Sequence, residues 1–145
     1  MSDTCPITKR YGSYALTVVR VVLGIIFLMH GLQKVLGLFG GEGLQATVKM
    51  FTSMGMSVVI AYMVPLIELL GGAALILGLL TKLAALGIMI VMIGAVATVH
   101  WKNGFFMQNH GFEYNLALIG MCVSLILGGG GRCALENCCG CKKEA

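Results

Sequence analysis

Residues 14 to 38 read YALTVVRVVLGIIFLMHGLQKVLGL, and this stretch decides the fold. It is long enough to cross the hydrocarbon core of a bilayer, which takes about 20 residues of helix, yet it contains Arg20, His30 and Lys34. A charge at the bilayer centre costs roughly 2.5–3.5 kcal/mol on insertion scales. Residues carried at that cost pair with one another, line a cavity or take part in chemistry. A cleavable signal peptide is shorter and ends in a small-x-small site, which is absent here.

Three further apolar stretches follow, Ser57 to Leu80, Leu83 to Val99 and Tyr114 to Leu127, the last running toward the glycines Gly128 to Gly131. Glu68 sits in the middle of the second, while His100 and Glu113 mark the facing ends of the third and fourth. The chain has 58% apolar and 11% charged residues, against about 25% charged in soluble domains. The pattern predicts an all-α integral membrane four-helix bundle. Residues 1–13 form an N-terminal segment, 14–131 the four-span domain, and 132–145 a Cys-rich tail. The net charge of +4 comes without a Lys/Arg stripe interleaved with aromatics, so nucleic acid is not an expected partner. Lys9, Arg10, Lys82, Arg132, Lys142 and Lys143 flank one side and Lys34, Lys49 and Lys102 the other. That bias places both termini in the cytoplasm of a multi-pass protein of the cell (inner or plasma) membrane, surrounded by membrane lipid.

Between the first two spans, Gly40-Gly41 breaks the helix. Leu44, Val48, Phe51 and Met54 then recur at helical spacing, as in a short amphipathic helix lying at the membrane interface; a plain connecting loop is the alternative. Leu80-Thr81-Lys82 is read as a tight hairpin turn. The connection from His100 to Glu113 is rich in aromatics (Trp101, Phe105, Phe106 and Phe112), read either as an interfacial belt or as a lid hinged at Asn103-Gly104 and His110-Gly111.

The polar residues fall on helical stripes. Arg20, Gly24, Phe27, Gly31 and Lys34 share one face, Ala61, Pro65, Glu68, Gly72 and Leu75 a second, and Glu113, Ala117, Gly120 and Ser124 a third. Each face is expected to point inward, with the small residues of the fourth span (Gly120, Ser124, Gly128) allowing close helix approach. His30, Glu68, His100 and Glu113 are then the candidates for proton chemistry in one pocket open to the outer side. Arg20, Lys34, Gln33, Asn115, Trp101 and Asn103 are the candidates for holding a substrate. Arg20 either reaches toward Glu68 or snorkels to the inner face; Glu68 either works in the pocket or neutralises Arg20 or Lys34 as a structural pair.

Cys122 stands alone in the fourth span, and no Cys-x-x-Cys lies in a span, against a dithiol enzyme of the vitamin-K-reducing type. Cys133, Cys138, Cys139 and Cys141 are thiols that could hold a soft metal, although their spacing fits no standard knuckle. No flavin, nucleotide or haem-attachment motif is present, so no covalently bound cofactor is expected. Any electron carrier is the substrate, a lipid quinone or a partner protein.

The stretches RVVLGIIFLMHGLQKVLGLF (20–39), PLIELLGGAALILGLLT (65–81) and HWKNGFFMQNHGFEYN (100–115) together resemble the DoxX family of small four-helix membrane proteins, over roughly residues 14 to 132. The resemblance implies a component of a quinone-linked membrane redox system, acting on sulfur or thiol species or in oxidative-stress defence, with a soluble or membrane redox partner; a homo-oligomer is expected separately, if the chain works as a carrier. It also implies that His30, Lys34, Glu68, His100, Glu113 and Asn115 are the family's polar positions. The Cys-rich tail inherits no role from it. Two other readings stand beside this one: a carrier or binding protein for a small solute, and a non-catalytic anchor subunit.

Overall fold

The computed structural model describes residues 6–139, with side chains from 13 to 137. Its regular elements are helical, with no strand among the described residues. Helix α1 spans Pro6–Leu36, α2 Gly43–Ser53, α3 Val58–Leu77, α4 Thr81–Ala95, α5 Glu113–Gly128 and α6 Leu135–Cys139. Three helical segments, Ser13–Leu36, Val58–Leu77 and Thr81–Asn103, are long and apolar enough to cross a membrane. α5 is shorter, 16 residues or about 24 Å at 1.5 Å per residue.

Local chemistry sets the boundaries. Gly37 (φ 68°) ends α1, where Gly37 N donates to Gln33 O and Leu38 N to Leu32 O, a left-handed glycine closing the last turn. Ser57 caps α3 by accepting from Ile60 N. Gly78 (φ 72°) terminates α3 and Leu80 (φ 47°) completes the corner. The turn is therefore residues 78–80, slightly earlier than the sequence pattern indicates; Thr81 and Lys82 already belong to α4, because the left-handed position falls on the glycine. At its far end α4 widens into a π-helical turn, Val96–His100, followed by short 3-10 turns at Trp101–Asn103 and Met107–Asn109.

α1 lies against α3, α3 against α4, and α4 against α5, which returns to α1. In lipid, helices gain little from the hydrophobic effect, so close packing holds them together. The α1–α3 crossing is built for that. A Cβ on Gly24 would lie 2.9 Å from Gly72 O, one on Gly31 would collide with the Leu69 backbone, and one on Gly72 with the backbone at Leu28. The inward stripes expected on α1 and α3 are correct: Arg20, Gly24, Phe27 and Gly31 are buried, as are Ala61, Pro65, Glu68, Gly72 and Leu75. The stripe expected on α5 is not. Ala117, Gly120 and Ser124 are exposed, and a Cβ on Gly120 would meet nothing within 4 Å. The buried face is Asn115, Leu118, Cys122 and Leu125; it packs with Leu23, Phe27, Leu75, Ile88 and Met92 into the common core. Of the small residues only Gly128 packs closely, against Leu16 of α1.

One end of the bundle is closed. The segment after α5 folds across it: Arg132 N donates to Ser13 O, Glu136 N to Gly78 O, and Glu136 Oε2 accepts from Thr81 N at 3.0 Å. The opposite end, bounded by α2 and the His100–Phe112 connection, opens into a cavity.

Candidate functional site

The cavity has a volume of about 910 Å³ and draws its walls from all four long helices, α2 and the connection before α5. Five of the residues expected in a shared pocket line it: His30 and Lys34 from α1, Glu68 from α3, His100 from the π-turn, and Asn115 from α5. Its remaining lining is mostly apolar, including Phe27, Phe51, Val64, Ile67, Val91 and Leu118.

The polar centre is an ion pair. Lys34 Nζ donates to both carboxylate oxygens of Glu68 at 2.7 Å. The glutamate side chain is 3% exposed and the lysine 27%. The pair forms because Gly31 lets α1 approach α3 closely enough for a side chain one turn along to cross the seam. Two further contacts hold the lysine in place. Its ammonium stands 5.8 Å from the centroid of the Phe51 ring, within cation–π range. Thr47 of α2 donates its hydroxyl to Lys34 O at 3.2 Å. The amphipathic face expected on α2 thus exists as a packing face, with Val48 buried on it and Phe51 half-buried.

His100 is positioned by its own connection. Its Nδ1 lies 2.8 Å from His110 O. A carbonyl only accepts, so Nδ1 carries the proton, and in the neutral ring Nε2 is left as an acceptor. Asn103 Nδ2 donates to the same oxygen at 3.2 Å, and His110 itself takes a left-handed conformation, φ 60°. Asn115 is buried and its amide lies 3.6 Å from Met92 Sδ. His30 lines the cavity with its side chain exposed.

The other expected site residues lie elsewhere. Arg20 is 2% exposed and sits at the closed end, where it neither reaches Glu68 nor snorkels to the surface. Its Nε donates to Gly130 O at 2.9 Å, Nη1 to Leu75 O and to Ile76 O, and Nη2 to Cys133 O at 3.1 Å. It adds a donor to Leu75 O, which also accepts from Gly78 N at 3.2 Å, supplies one to Ile76 O in the last turn of α3, and ties the segment after α5 to them. Glu113 accepts from Met107 N at 2.8 Å and braces the connection rather than lining the cavity. Trp101 stacks on Phe112 with centroids 5.6 Å apart. Gln33 Nε2 donates to Phe39 O beyond the end of α1.

Several lining residues escape sequence reading: Tyr114, His110, Met92 and a methionine group comprising Met50, Met54, Met56, Met63 and Met107. Met50 and Met54 recur at helical spacing beside Phe51, the one signal that was available. Cys133 is exposed, whereas Cys138, Cys139 and Cys141 lie outside the residues with described side chains. No group of three or more His, Cys, Asp and Glu side chains suited to a metal occurs among the described residues.

The DoxX family model matches residues 15–101. A protein of Bacillus subtilis (strain 168) named "Putative oxidoreductase CatD" is 37% identical over 106 residues, 73% of this chain and 74% of that protein. A second, from Haemophilus influenzae (strain ATCC 51907 / DSM 11121 / KW20 / Rd) and named "Uncharacterized protein", is 29% identical over 136 residues, 89% of this chain and 93% of that protein. No solved structure matches the chain significantly.

Proposed function

The chain belongs to the DoxX family of membrane proteins, and from that premise we propose that it is the quinone-binding subunit of a membrane oxidoreductase, with the cavity at its open end as the ring site. The relative named as an oxidoreductase supports the reaction class. The site chemistry supports the ligand. The cavity walls are mainly apolar, as a membrane quinone requires, and the polar groups are few and convergent, as small-molecule sites generally are. The ion pair is charge-balanced, so the cavity suits a neutral ring with oxygen substituents.

One observation carries the reading: the hydrogen bond from His100 Nδ1 to His110 O at 2.8 Å. It leaves Nε2 as the acceptor of a ring that lines the cavity. In this role His100 accepts the proton of a ring hydroxyl, Asn115 offers its amide to a ring oxygen, and the Lys34–Glu68 pair supplies a donor and an acceptor beside it. His30, at the exposed rim, exchanges protons with water. Electrons pass to or from a partner redox protein, since the sequence carries no cofactor motif.

Oxidation of a sulfur or thiol compound falls to that partner in this account. Among the described residues, Lys34 is paired with Glu68 and Arg20 is spent on carbonyls at the other end, so neither is left to receive an anion in the cavity. With Lys34 inside the pair, the flanking basic residues number six against two. We place both termini in the cytoplasm, the open end outside, and α2 along the outer interface of the plasma membrane.

The test is extraction of the protein purified in mild detergent, with the lipids quantified by mass spectrometry. About one quinone per chain is expected, and its loss in His100→Leu. Quinone no higher than in an unrelated membrane protein prepared the same way would overturn the reading.

A further inference from the structure

We infer that the cavity is entered sideways, from the lipid, through a gap between the outer halves of α3 and α4, and that its ligand is an amphiphile whose apolar chain occupies that gap while its ring lies at the polar centre. This rests on the ring-site reading above and adds a route and a second binding element to it.

The two helices taper apart. A Cβ on Gly71 of α3 would meet the Ile88 side chain at 3.1 Å, and one on Gly87 of α4 would meet Ile67 at 3.3 Å. Seven residues further along α4, about 10 Å at 1.5 Å per residue, a Cβ on Gly94 would meet nothing within 4 Å. The antiparallel register that sets Gly87 beside Ile67 carries Gly94 toward Ile60 and Met63. All three line the cavity, as does Ile90. Met63 is 51% exposed and Ile90 60%, so the same side chains face both the cavity and the outside of the bundle.

In a membrane-spanning chain, that outside is acyl chain. The gap joins the hydrocarbon to the ion pair without crossing a polar barrier, since its edges are isoleucine, methionine and glycine. A water-soluble solute gains nothing from such a passage. A ring compound with an isoprenoid or alkyl chain places each part in matching surroundings. Methionine at the edge suits a chain that must slide past, being unbranched and adaptable.

Gly94 provides the test, because a Cβ there meets nothing within 4 Å and a larger side chain would start from the gap. Dissociation constants are measured in nanodiscs for a benzoquinone bearing a ten-carbon tail and for the same ring without it, on wild-type protein and on Gly94→Phe, with thermal unfolding of both as the fold control. The tailed compound is expected to bind at least tenfold more weakly to the variant, and the tailless ring to stay within about twofold. Equal affinity of the tailed compound for both proteins, or equal weakening of both compounds, would overturn the lateral gap. If wild-type protein binds neither compound, the ring-site reading itself fails and this inference falls with it.

Discussion

Lys34 and Glu68, on different helices and 34 positions apart in sequence, share a two-armed ion pair in which Nζ lies 2.7 Å from each carboxylate oxygen. The two partners are unequally sheltered, and this inequality makes a prediction. Lys34→Met strands a carboxylate that is almost fully enclosed, whereas Glu68→Gln leaves an ammonium that can swing toward the open end. Breaking a buried pair by removing one partner destabilises by roughly 3–5 kcal/mol. Thermal unfolding should therefore show Lys34→Met near that range and Glu68→Gln on the order of 1 kcal/mol, closer to a surface pair. The double variant should recover much of the lysine variant's loss. Equal losses from both single variants would contradict the assignment of Glu68 as the enclosed partner.

Arg20 predicts a separation of stability from binding. Four of its hydrogen bonds run to main-chain carbonyls at the closed end. Arg20→Met takes the donor from Ile76 O, Gly130 O and Cys133 O, while Leu75 O keeps Gly78 N, and hydrogen bonds to charged groups are worth about 1.5–3 kcal/mol each. A loss of at least ~3 kcal/mol is expected, with faster proteolysis of residues 129–137, while affinity for a cavity ligand stays unchanged. Protection of that segment equal to wild type would sink this role.

The glycines predict opposite signs on two helices. Gly31→Ala pushes a methyl group into the Leu69 backbone, and overpacking of this kind destabilises by about 1–3 kcal/mol. Gly120→Ala adds a methyl where nothing stands within 4 Å, and should be neutral or stabilise by up to ~1 kcal/mol. The comparison, read by unfolding in identical detergent, checks which face of α5 packs.

Glu113 is expected to act through the shape of the connection. Glu113→Gln keeps an acceptor for Met107 N and should hold ligand affinity within a few-fold. Glu113→Ala removes it and should increase protease cleavage between residues 104 and 111. Equal loss of ligand binding in both variants would return the carboxylate to the cavity.

The inward faces of α1 and α3 could be read from sequence because each carries a charge among small residues, and a charge in an apolar helix has a direction. α5 carries its one charge, Glu113, on its first residue, where the side chain is taken by Met107 N of the connection and gives no direction to the rest of the helix. It is apolar around its circumference, so the Gly120–Ser124–Gly128 series and the Asn115–Leu118–Cys122–Leu125 series fit a helical period equally well; the polar Asn115 was the better guide. Arg20 was misread for a different reason. Its partners are backbone oxygens of Leu75, Ile76, Gly130 and Cys133, and main-chain acceptors leave no trace in residue identity. His110 was hidden likewise, since its contribution is a carbonyl that orients His100. The methionine lining has no signature in the sequence, because thioether side chains do not distinguish a core from a cavity wall.

One enclosure joins side chains of α1, α3, the π-turn and α5. Titration of a short-chain benzoquinone into nanodisc-embedded protein, followed by tryptophan fluorescence of Trp101 or by calorimetry, tests it most directly when run on three variants together. His100→Leu and Asn115→Leu should each weaken binding tenfold or more, about 1.4 kcal/mol, while Arg20→Lys should leave it within twofold. Binding that is indifferent to His100 and Asn115, or that responds to Arg20 as strongly as to them, would contradict it.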